Sequence, residues 1–379
     1  MRALVIGGGI GGLAAAVALR RAGHEVTVFE QAPAFREVGA GLAVSANALK
    51  ALDALGLRER AAARGALARR LLLRTSSGLV LSDFRLEAGQ ESVGIHRAAL
   101  LEILAAAARE QTVEFGMRCT GVAQDPLGVT ATFADGSSAR GDFLIGADGI
   151  NSVTRASILG ASKPRYAGYV GWRAVTPLEA ALRTPDVFWE TWGRGLRFGC
   201  VEIGGGRAYW FVAETVPKPA AAPPSGSATA RLRRLVAGWH EPIEAIVAST
   251  ADDGVSRTAI YDRRPTRRWG RGRVTLLGDA AHAMTPNLGQ GASQALEDAA
   301  VLGRVAEDAS DVPAMLRLYE QRRVKRANTI VRRSRQIGRL GQARNPLVCV
   351  ARDRLMRVTP IRIQKAEQEK LLAFDAGSR

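Results

Sequence analysis

The sequence predicts an α/β protein in which a Rossmann-like dinucleotide-binding domain carries an inserted antiparallel β-sheet domain and a C-terminal helical segment. Three patterns support this fold class: a strand–helix–strand unit at the start of the chain, a segment in which apolar and polar residues alternate with period 2, and helical periodicity towards the C-terminus. With 379 residues, the chain is long enough for about two to three domains.

The opening unit combines an apolar strand at Ala3 to Ile6, a helix over residues 13–22 and a second strand at Glu25 to Glu30. Glycines in the connecting turn follow the G-x-G-x-x-G spacing. The first permits a tight turn, the second lets the backbone approach a pyrophosphate, and the third lets the helix pack on the strand. Glu30 ends the second strand, where it can accept hydrogen bonds from ribose hydroxyls. The turn therefore predicts dinucleotide binding by Gly7, Gly9, Ile10, Gly11 and Gly12, with Glu30.

The rest of the chain supplies the other elements of the predicted fold. Helices are expected at residues 46–55, 97–108, 230–237 and 292–306, a hairpin at 113–133 with a turn at Asp135-Gly136, an antiparallel sheet within 166–212, a surface loop at 217–227 and a strand at 273–277. These patterns divide the chain into dinucleotide-binding parts at 1–70, 97–160 and 270–345, substrate-domain parts at 71–96 and 161–269, and a helical tail at 346–379.

Composition excludes several classes of protein. The mean hydropathy of −0.03 is that of a globular protein, no apolar run is long enough to span a membrane, and no signal region precedes the first strand, so a cytoplasmic protein without integral membrane association is expected. Three scattered cysteines and four scattered histidines argue against a disulfide framework and a metal site.

The positive charge is concentrated in one region. Of the net charge of +17, +12 lies between Arg322 and Lys370, where fifteen basic residues accompany three acidic ones. We interpret this segment as a solvated helical surface that closes over the substrate domain, with contact to a membrane or polyanion as the alternative; no nucleic-acid partner is expected.

Two further motifs end buried strands with a carboxylate. One is Asp148-Gly149, followed by Asn151, Ser152 and Arg155, and the other is Gly278-Asp279. Together with the opening unit, the segments 7–30, 146–155 and 278–298 make the sequence resemble the single-component FAD-dependent monooxygenases, whose fold is that of para-hydroxybenzoate hydroxylase. The resemblance extends over nearly the whole chain and is nearest to the urate hydroxylase, zeaxanthin epoxidase and salicylate hydroxylase branch.

This resemblance implies FAD as the bound cofactor and NADH or NADPH as a transient electron donor, because the chain has no second glycine-rich fingerprint. It implies that Asp279 hydrogen-bonds the ribityl chain, that Asp148 serves the pyrophosphate and the approach of the nicotinamide, and that Pro286 lies beside the reactive face of the flavin. A helix starting near Gly289 to Gly291 would direct its positive end at the flavin N1 and C2 carbonyl, where reduced flavin is negative. The cofactor-binding residues expected beyond the opening unit are Gly41, Arg97, Asp148, Asp279, Pro286, Gly289, Gly291 and Ala292.

The implied reaction is hydroxylation of an electron-rich aromatic or heteroaromatic molecule with O2 through a C4a-hydroperoxyflavin. Arg197 and Tyr209 have the spacing of an arginine and a tyrosine in urate hydroxylases, although a salt-bridged strand arginine and a core tyrosine would give the same pattern. With Pro286, and with His282 if it reaches the cavity instead of packing after its strand, they are the candidate catalytic residues; Trp172, Trp189 and Trp192 are further substrate-domain candidates.

Three alternatives remain open from the sequence: an epoxidase, a Baeyer–Villiger monooxygenase, and a flavin-binding accessory protein without turnover. The expected oligomeric state is a monomer or a homodimer. Asn287 is polar where some relatives carry an acid, which argues against a general base at that position.

Overall fold

A parallel sheet supports the glycine-rich motif at the start of the chain. The computed structural model describes residues 1–35, 40–109, 112–218 and 226–373. In these residues the sheet has five strands in the order β17-β11-β1-β2-β7, all paired in parallel. Its strands are β1 (Arg2–Ile6), β2 (Glu25–Glu30), β7 (Val113–Phe115), β11 (Phe143–Gly146) and β17 (Val274–Leu276).

Helix α1 (Ile10–Arg21) follows β1 and packs on this sheet together with α4 (Arg97–Ala108) and α9 (Gly291–Ala306). It begins earlier than the predicted residue 13, because the turn is already complete at Gly9. A Cβ on Gly12 would lie 1.8 Å from the Gly7 carbonyl oxygen, and Gly7 has a φ of +106°. Both positions therefore require glycine, for the close approach of helix to turn and for the turn itself.

A small antiparallel sheet replaces part of the predicted hairpin. It contains β8 (Cys119–Gln124), β9 (Val129–Phe133) and β10 (Ser138–Gly141), and the Asp135-Gly136 turn joins its last two strands. The prediction of one hairpin over 113–133 was wrong at its start, because Val113–Phe115 pairs with β2 in the parallel sheet. Alternation alone does not distinguish a strand on a parallel sheet from one in a hairpin.

A second large sheet lies at the carboxyl ends of the parallel strands. Among the described residues it has nine strands, in the order β16-β12-β15-β14-β13-β4-β6-β3, with β5 also paired to β4. It is antiparallel, as predicted, except that β13 runs parallel to β4. Its strands are β3 (Gly41–Val44), β4 (Ala66–Thr75), β5 (Val80–Arg85), β6 (Ser92–His96), β12 (Arg165–Pro177), β13 (Asp186–Trp192), β14 (Leu196–Glu202), β15 (Arg207–Thr215) and β16 (Ser256–Asp262).

One face of this sheet is covered by α6 (Ala228–Val236) and α7 (Ile243–Ala248). Helix α6 begins two residues before its predicted start, where the Ser227 hydroxyl accepts a hydrogen bond from the Ala230 N–H. Of the surface loop predicted at 217–227, residues 219–225 lie outside the described residues. The other face of the sheet is directed at the glycine-rich motif.

The remaining helices connect the two sheets and form the tail. They are α2 (Ala46–Ala54), α3 (Arg58–Ala63), α5 (Val153–Leu159), α8 (Asp279–His282), α10 (Val312–Gly341), α11 (Pro346–Val358) and α12 (Ile361–Leu372). The tail is helical, as predicted, and both α11 and α12 contact β5 of the nine-stranded sheet. In the described part of the chain, no helix combines the length and apolar character needed to cross a bilayer.

Candidate active site

A continuous cavity of about 550 Å³ lies between the two sheets. Residues from the glycine-rich turn, from the end of β11 and from the segment between α8 and α9 form one end of it. The cavity-facing side of the nine-stranded sheet forms the other end, and α12 contributes Gln368 and Leu371. A site built from both sheets can therefore hold two molecules side by side, a dinucleotide at one end and a small substrate at the other.

Glycine backbone lines the end of the cavity next to the glycine-rich turn. Gly9, Gly149, Gly289 and Gly291 all line the cavity, and a Cβ built on any of them would meet no atom within 4 Å. The backbone therefore borders open space, and Gly291 also starts α9, whose first N–H groups have no partner within the helix. An extended, negatively charged cofactor can approach this surface closely, so the residues present fit FAD.

Most residues expected to bind the cofactor do line the cavity. They are Gly9, Ile10, Gly11, Gly41, Arg97, Asp279, Pro286, Gly289, Gly291 and Ala292. Gly7 and Gly12 do not line it, since they shape the turn behind it.

Two of the carboxylates expected at the cofactor lie outside the lining of the cavity. Asp148 does not line the cavity: its oxygens accept hydrogen bonds from the Ser152 hydroxyl at 2.6 Å and from the Thr154 N–H at 3.0 Å. It orders the loop after β11, and its neighbour Gly149 borders the cavity instead. Glu30 also lies outside the lining, with its oxygens accepting from the backbone N–H groups of Gly8 and Ala32 at 2.7 and 2.8 Å.

Asp279 is the carboxylate at the glycine-edged end of the cavity. It is the first residue of α8 and is exposed to the cavity, although protein atoms surround it on its other sides. This burial raises the pKa of Asp279, and attraction to His282 and Arg97 opposes the rise. Arg97 is the first residue of α4 and also lines the cavity, so one acidic and one basic side chain flank the glycine-edged end.

Of the two alternatives considered for His282, the structure shows the packed one, in which the side chain does not reach the cavity. Its side chain is fully buried, its Nε2 lies 2.6 Å from Asp298 Oδ2, and its ring packs against Trp269. Asp298 also accepts a hydrogen bond from the Gly278 N–H at 3.0 Å. His282 therefore supports the turn that carries Asp279 and makes no contact with the cavity.

This buried cluster continues onto α10. Arg323 donates to Asp298 Oδ1 at 2.6 Å and to Glu297 Oε2 at 2.5 Å, with all three side chains inaccessible to solvent. Burial by itself would raise the pKa of Asp298, but attraction to His282 and Arg323 holds it below the usual value. The cluster joins α9, which borders the cavity through Gly291, to the long helix behind it.

Strand alternation decides which substrate-domain side chains reach the cavity. On β12, Tyr169 and Arg173 face it while Trp172 is in the core beneath α6 and α7. On β13, Trp189 likewise points away from the cavity and into that core. Trp192 does not line the cavity either, since its ring lies under the guanidinium groups of Arg197 and Arg352. The three tryptophans considered as substrate contacts are therefore structural.

Arg197 does line the cavity, in a cluster with three neighbours. Its Nε donates to Glu190 Oε1 at 2.5 Å, and its Nη1 donates to Asn287 Oδ1 at 2.7 Å. The same Asn287 oxygen accepts from the Tyr169 hydroxyl at 3.0 Å, while its amide nitrogen donates to Thr285 Oγ1 and the Ser334 carbonyl. Asn287 is thus a fixed acceptor that orients Arg197, and Glu190 balances the arginine's charge.

Tyr209 also lines the cavity, next to Arg173. Burial raises the pKa of Tyr209, with attraction and a hydrogen bond from Arg173 acting in the opposite direction. A Cβ on Gly41 would lie 2.2 Å from the Tyr209 Cβ, so the absence of a side chain at Gly41 makes room for the tyrosine. Arg173 forms no ion pair with any of the described residues, and its partner in the cavity is Tyr209.

Sequence reasoning missed Tyr169, Arg173 and Glu190 on the sheet, and Gln368 and Leu371 on α12. In the paired strands, the three sheet residues lie on the same face of the sheet as Arg197 and Tyr209. Once the strand order is known, strand alternation would have identified them. No sequence signal connects α12 to the cavity, because that contact depends on how the tail folds back.

Comparison with known proteins assigns the family. The model of the FAD binding domain family matches residues 1–334. The chain is 41% identical over 360 residues to the aurachin C monooxygenase/isomerase of Stigmatella aurantiaca, covering 94% of this chain and 93% of the relative. It is 38% identical to an FAD-dependent urate hydroxylase of Klebsiella pneumoniae, covering 89% of each.

A solved structure agrees over the whole fold. The crystal structure of Klebsiella pneumoniae HpxO complexed with FAD and uric acid covers 100% of this chain and 98% of its own, with a TM-score of 0.92 and 35% sequence identity. FAD is thus the cofactor, and the chain is an oxidoreductase. This protein belongs to the FAD binding domain family of flavin-dependent monooxygenases.

Proposed function

We propose that this monooxygenase hydroxylates a heteroaromatic ring that carries an ionisable oxygen and an apolar substituent. One observation supports the proposal above the others: a single cavity runs from the glycine-edged FAD end to a wall that holds Arg173, Arg197 and Tyr209. Bound FAD, reduced by NADH or NADPH, supplies the oxygen chemistry with O2.

The charges of the substrate end favour an anion. Glu190 balances Arg197 at 2.5 Å, whereas Arg173 has no acidic partner among the described residues. One positive charge is therefore left for the ligand. A ring oxygen held in its deprotonated form by Arg173 makes the adjacent carbon electron-rich, which is what an electrophilic oxygen donor requires.

Tyr209 acts as a hydrogen-bond donor in this arrangement. Because burial raises its pKa, the phenol keeps its proton at neutral pH and donates to the same ligand oxygen or to a second one. Asn287 and Glu190 hold Arg197 in one orientation, so the ring is positioned relative to the flavin by fixed groups.

The apolar walls favour a larger and less polar substrate than uric acid, the ligand of the Klebsiella structure. Leu71, Phe188, Val201, Phe211 and Ile260 line the cavity beyond the arginines. Burying hydrocarbon against them contributes to binding in proportion to the area removed from water, whereas uric acid has polar groups on all its edges and would leave them unpaired there.

A substrate panel tests the proposal. The FAD-loaded protein is assayed for NADH and NADPH oxidation with 4-hydroxyquinolines bearing short or long alkyl chains, with urate and with 6-hydroxynicotinate. We expect alkylated hydroxyquinolines to stimulate oxidation most and to yield a product heavier by one oxygen atom, labelled when ¹⁸O2 is used. Turnover of urate without turnover of any hydroxyquinoline would refute the proposed substrate class.

Variants test the assigned roles. Arg173→Ala should raise KM for an anionic substrate by about 10- to 100-fold, the range expected for a charged hydrogen bond, and Arg173→Lys should recover part of it. Tyr209→Phe should raise KM by about fivefold. Arg207→Ala, an exposed arginine on β15, is the matched control and should leave KM unchanged. Equal effects of Arg173→Ala and Arg207→Ala would contradict the role of Arg173.

A further inference from the structure

The tail helix α11 exposes a row of apolar side chains. Leu347, Leu355 and Val358 are 79%, 64% and 73% exposed. Their spacing places them on one face of the helix within about 80°, and Ile361 and Ile363 at the start of α12 are 46% and 50% exposed. The opposite face of α11 is buried through Cys349 and Arg352. The row therefore faces solvent because of the way α11 packs, and apolar patches of this kind mark interaction sites.

Unpaired arginines lie beside this row and beyond its two ends. Arg344, Arg354, Arg357 and Arg362 are exposed and form no ion pair with any residue that the structure describes. The one acid within 344–362 is Asp353, which pairs with the buried Arg352 at 2.8 Å. We call these four arginines together with Leu347, Leu355, Val358, Ile361 and Ile363 the tail surface.

We propose that the tail surface binds the interface of an anionic lipid bilayer. A helix that lies in the bilayer interface inserts its apolar side chains at the boundary of head groups and acyl chains, while arginines at its sides contact lipid phosphates. The tail surface has both components, with Arg354 and Arg357 along one side of the apolar residues of α11. Binding is peripheral, since the helix lies on the membrane and does not cross it.

Charge argues against other occupants. A second copy of this chain would bring the same arginines to the contact and be repelled. A nucleic acid would match the arginines but would leave Leu347, Leu355 and Val358 exposed. An anionic bilayer satisfies the positive charge and buries the apolar side chains.

The position of the tail surface suits an apolar substrate. Helix α12 lines the cavity with Gln368 and Leu371, so the segment that would lie on the bilayer is continuous with one wall of the site. A hydrocarbon-bearing substrate dissolved in the membrane would then be close to the cavity. This consequence rests on the proposed function, whereas lipid binding itself does not.

Vesicle flotation of the FAD-loaded protein tests the proposal. Vesicles of phosphatidylcholine alone are compared with vesicles that also contain phosphatidylglycerol. We expect binding to the anionic vesicles only, weakened by added salt because screening reduces surface attraction. The double variant Arg354→Gln/Arg357→Gln should bind about fivefold more weakly for each arginine removed, and Leu355→Glu/Val358→Glu should lose binding.

Leu127→Glu is the matched control, since Leu127 is 81% exposed in the loop between β8 and β9. It should bind as the unmodified protein does. FAD content and circular dichroism of each variant check folding, and turnover of a water-soluble substrate should stay unchanged, so that lipid binding and hydroxylation are judged separately. The absence of binding to anionic vesicles, equal binding by all variants, or a dimer that only the tail variants abolish would overturn the proposal.

Discussion

Arg323 offers a direct test of how the helices behind the cavity are held together. The change Arg323→Met removes a guanidinium that is fully buried and contacts Glu297 at 2.5 Å, Asp298 at 2.6 Å and Gln294 Oε1 at 2.7 Å. Methionine has nearly the length of the arginine stem and keeps most of the packing. The variant therefore isolates the loss of positive charge.

The expected cost follows from what each carboxylate retains. Breaking a buried ion pair costs about 3–5 kcal/mol. Glu297 keeps Arg326 at 2.8 Å, and Asp298 keeps His282 at 2.6 Å, so we expect the lower limit, about 3 kcal/mol. With an unfolding entropy of about 2.1 cal/mol/K for each of the 379 residues, this loss lowers Tm by about 4 °C.

Thermal unfolding of the FAD-saturated protein provides the assay, followed by tryptophan fluorescence and by release of flavin. Arg326→Met is the matched control on the same helix. Its side chain is partly accessible and it leaves Glu297 paired with Arg323, so its loss should be about 1.5 kcal/mol, or about 2 °C. In Arg323→Met/Asp298→Asn, part of the stability should return because the buried carboxylate that has lost its arginine is removed. A Tm decrease for Arg323→Met no larger than that for Arg326→Met would refute this account.

Three further predictions concern the site. Gly41→Ala places a Cβ 2.2 Å from that of Tyr209, so it should displace the tyrosine and raise KM for substrate; an unchanged KM would contradict the packing argument. Asp279→Ala should lose FAD on dialysis, measured as flavin absorbance per protein, whereas the exposed control Asp253→Ala should retain it; equal retention by both would remove Asp279 from the cofactor site. Because the pKa of Asp298 is held below its usual value, the ionised carboxylate stabilises the fold above about pH 4, and this contribution is lost as the pH falls through the lowered pKa. The difference in unfolding free energy between the unmodified protein and Asp298→Asn, measured by urea titration, should therefore shrink on acidification; a difference that does not vary with pH would contradict it.

The parallel sheet and the glycine-rich turn could be predicted because their determinants are local. Gly7, Gly9 and Gly12 are needed by a turn that involves few residues, and an apolar strand before it and a helix after it identify the unit. The predicted cofactor residues from Gly278 onward also lie within one short segment. Their positions along the cavity follow from the helix that starts at Gly291.

The misplacements came from contacts between distant segments. His282 could be placed after its strand, but its burial depends on Asp298 and on Trp269, which come from other elements. The side of the sheet that each tryptophan occupies depends on the register of β12, β13 and β15. A register shift of one residue would move every side chain to the other face, and alternation alone does not fix the register.

The sequence by itself determined the α/β class, the dinucleotide-binding turn, the family resemblance and the basic helical tail, because each depends on residues that are close together in the chain. Only the tertiary structure decided which side chains meet at the cavity. Arg173 and Tyr209 come together through the pairing of β12 with β15, Asn287 reaches Arg197 from a segment ninety residues away, and α12 reaches the cavity when the tail folds back. Contacts of this kind are set by strand register and helix packing over the whole chain, and no local pattern encodes them.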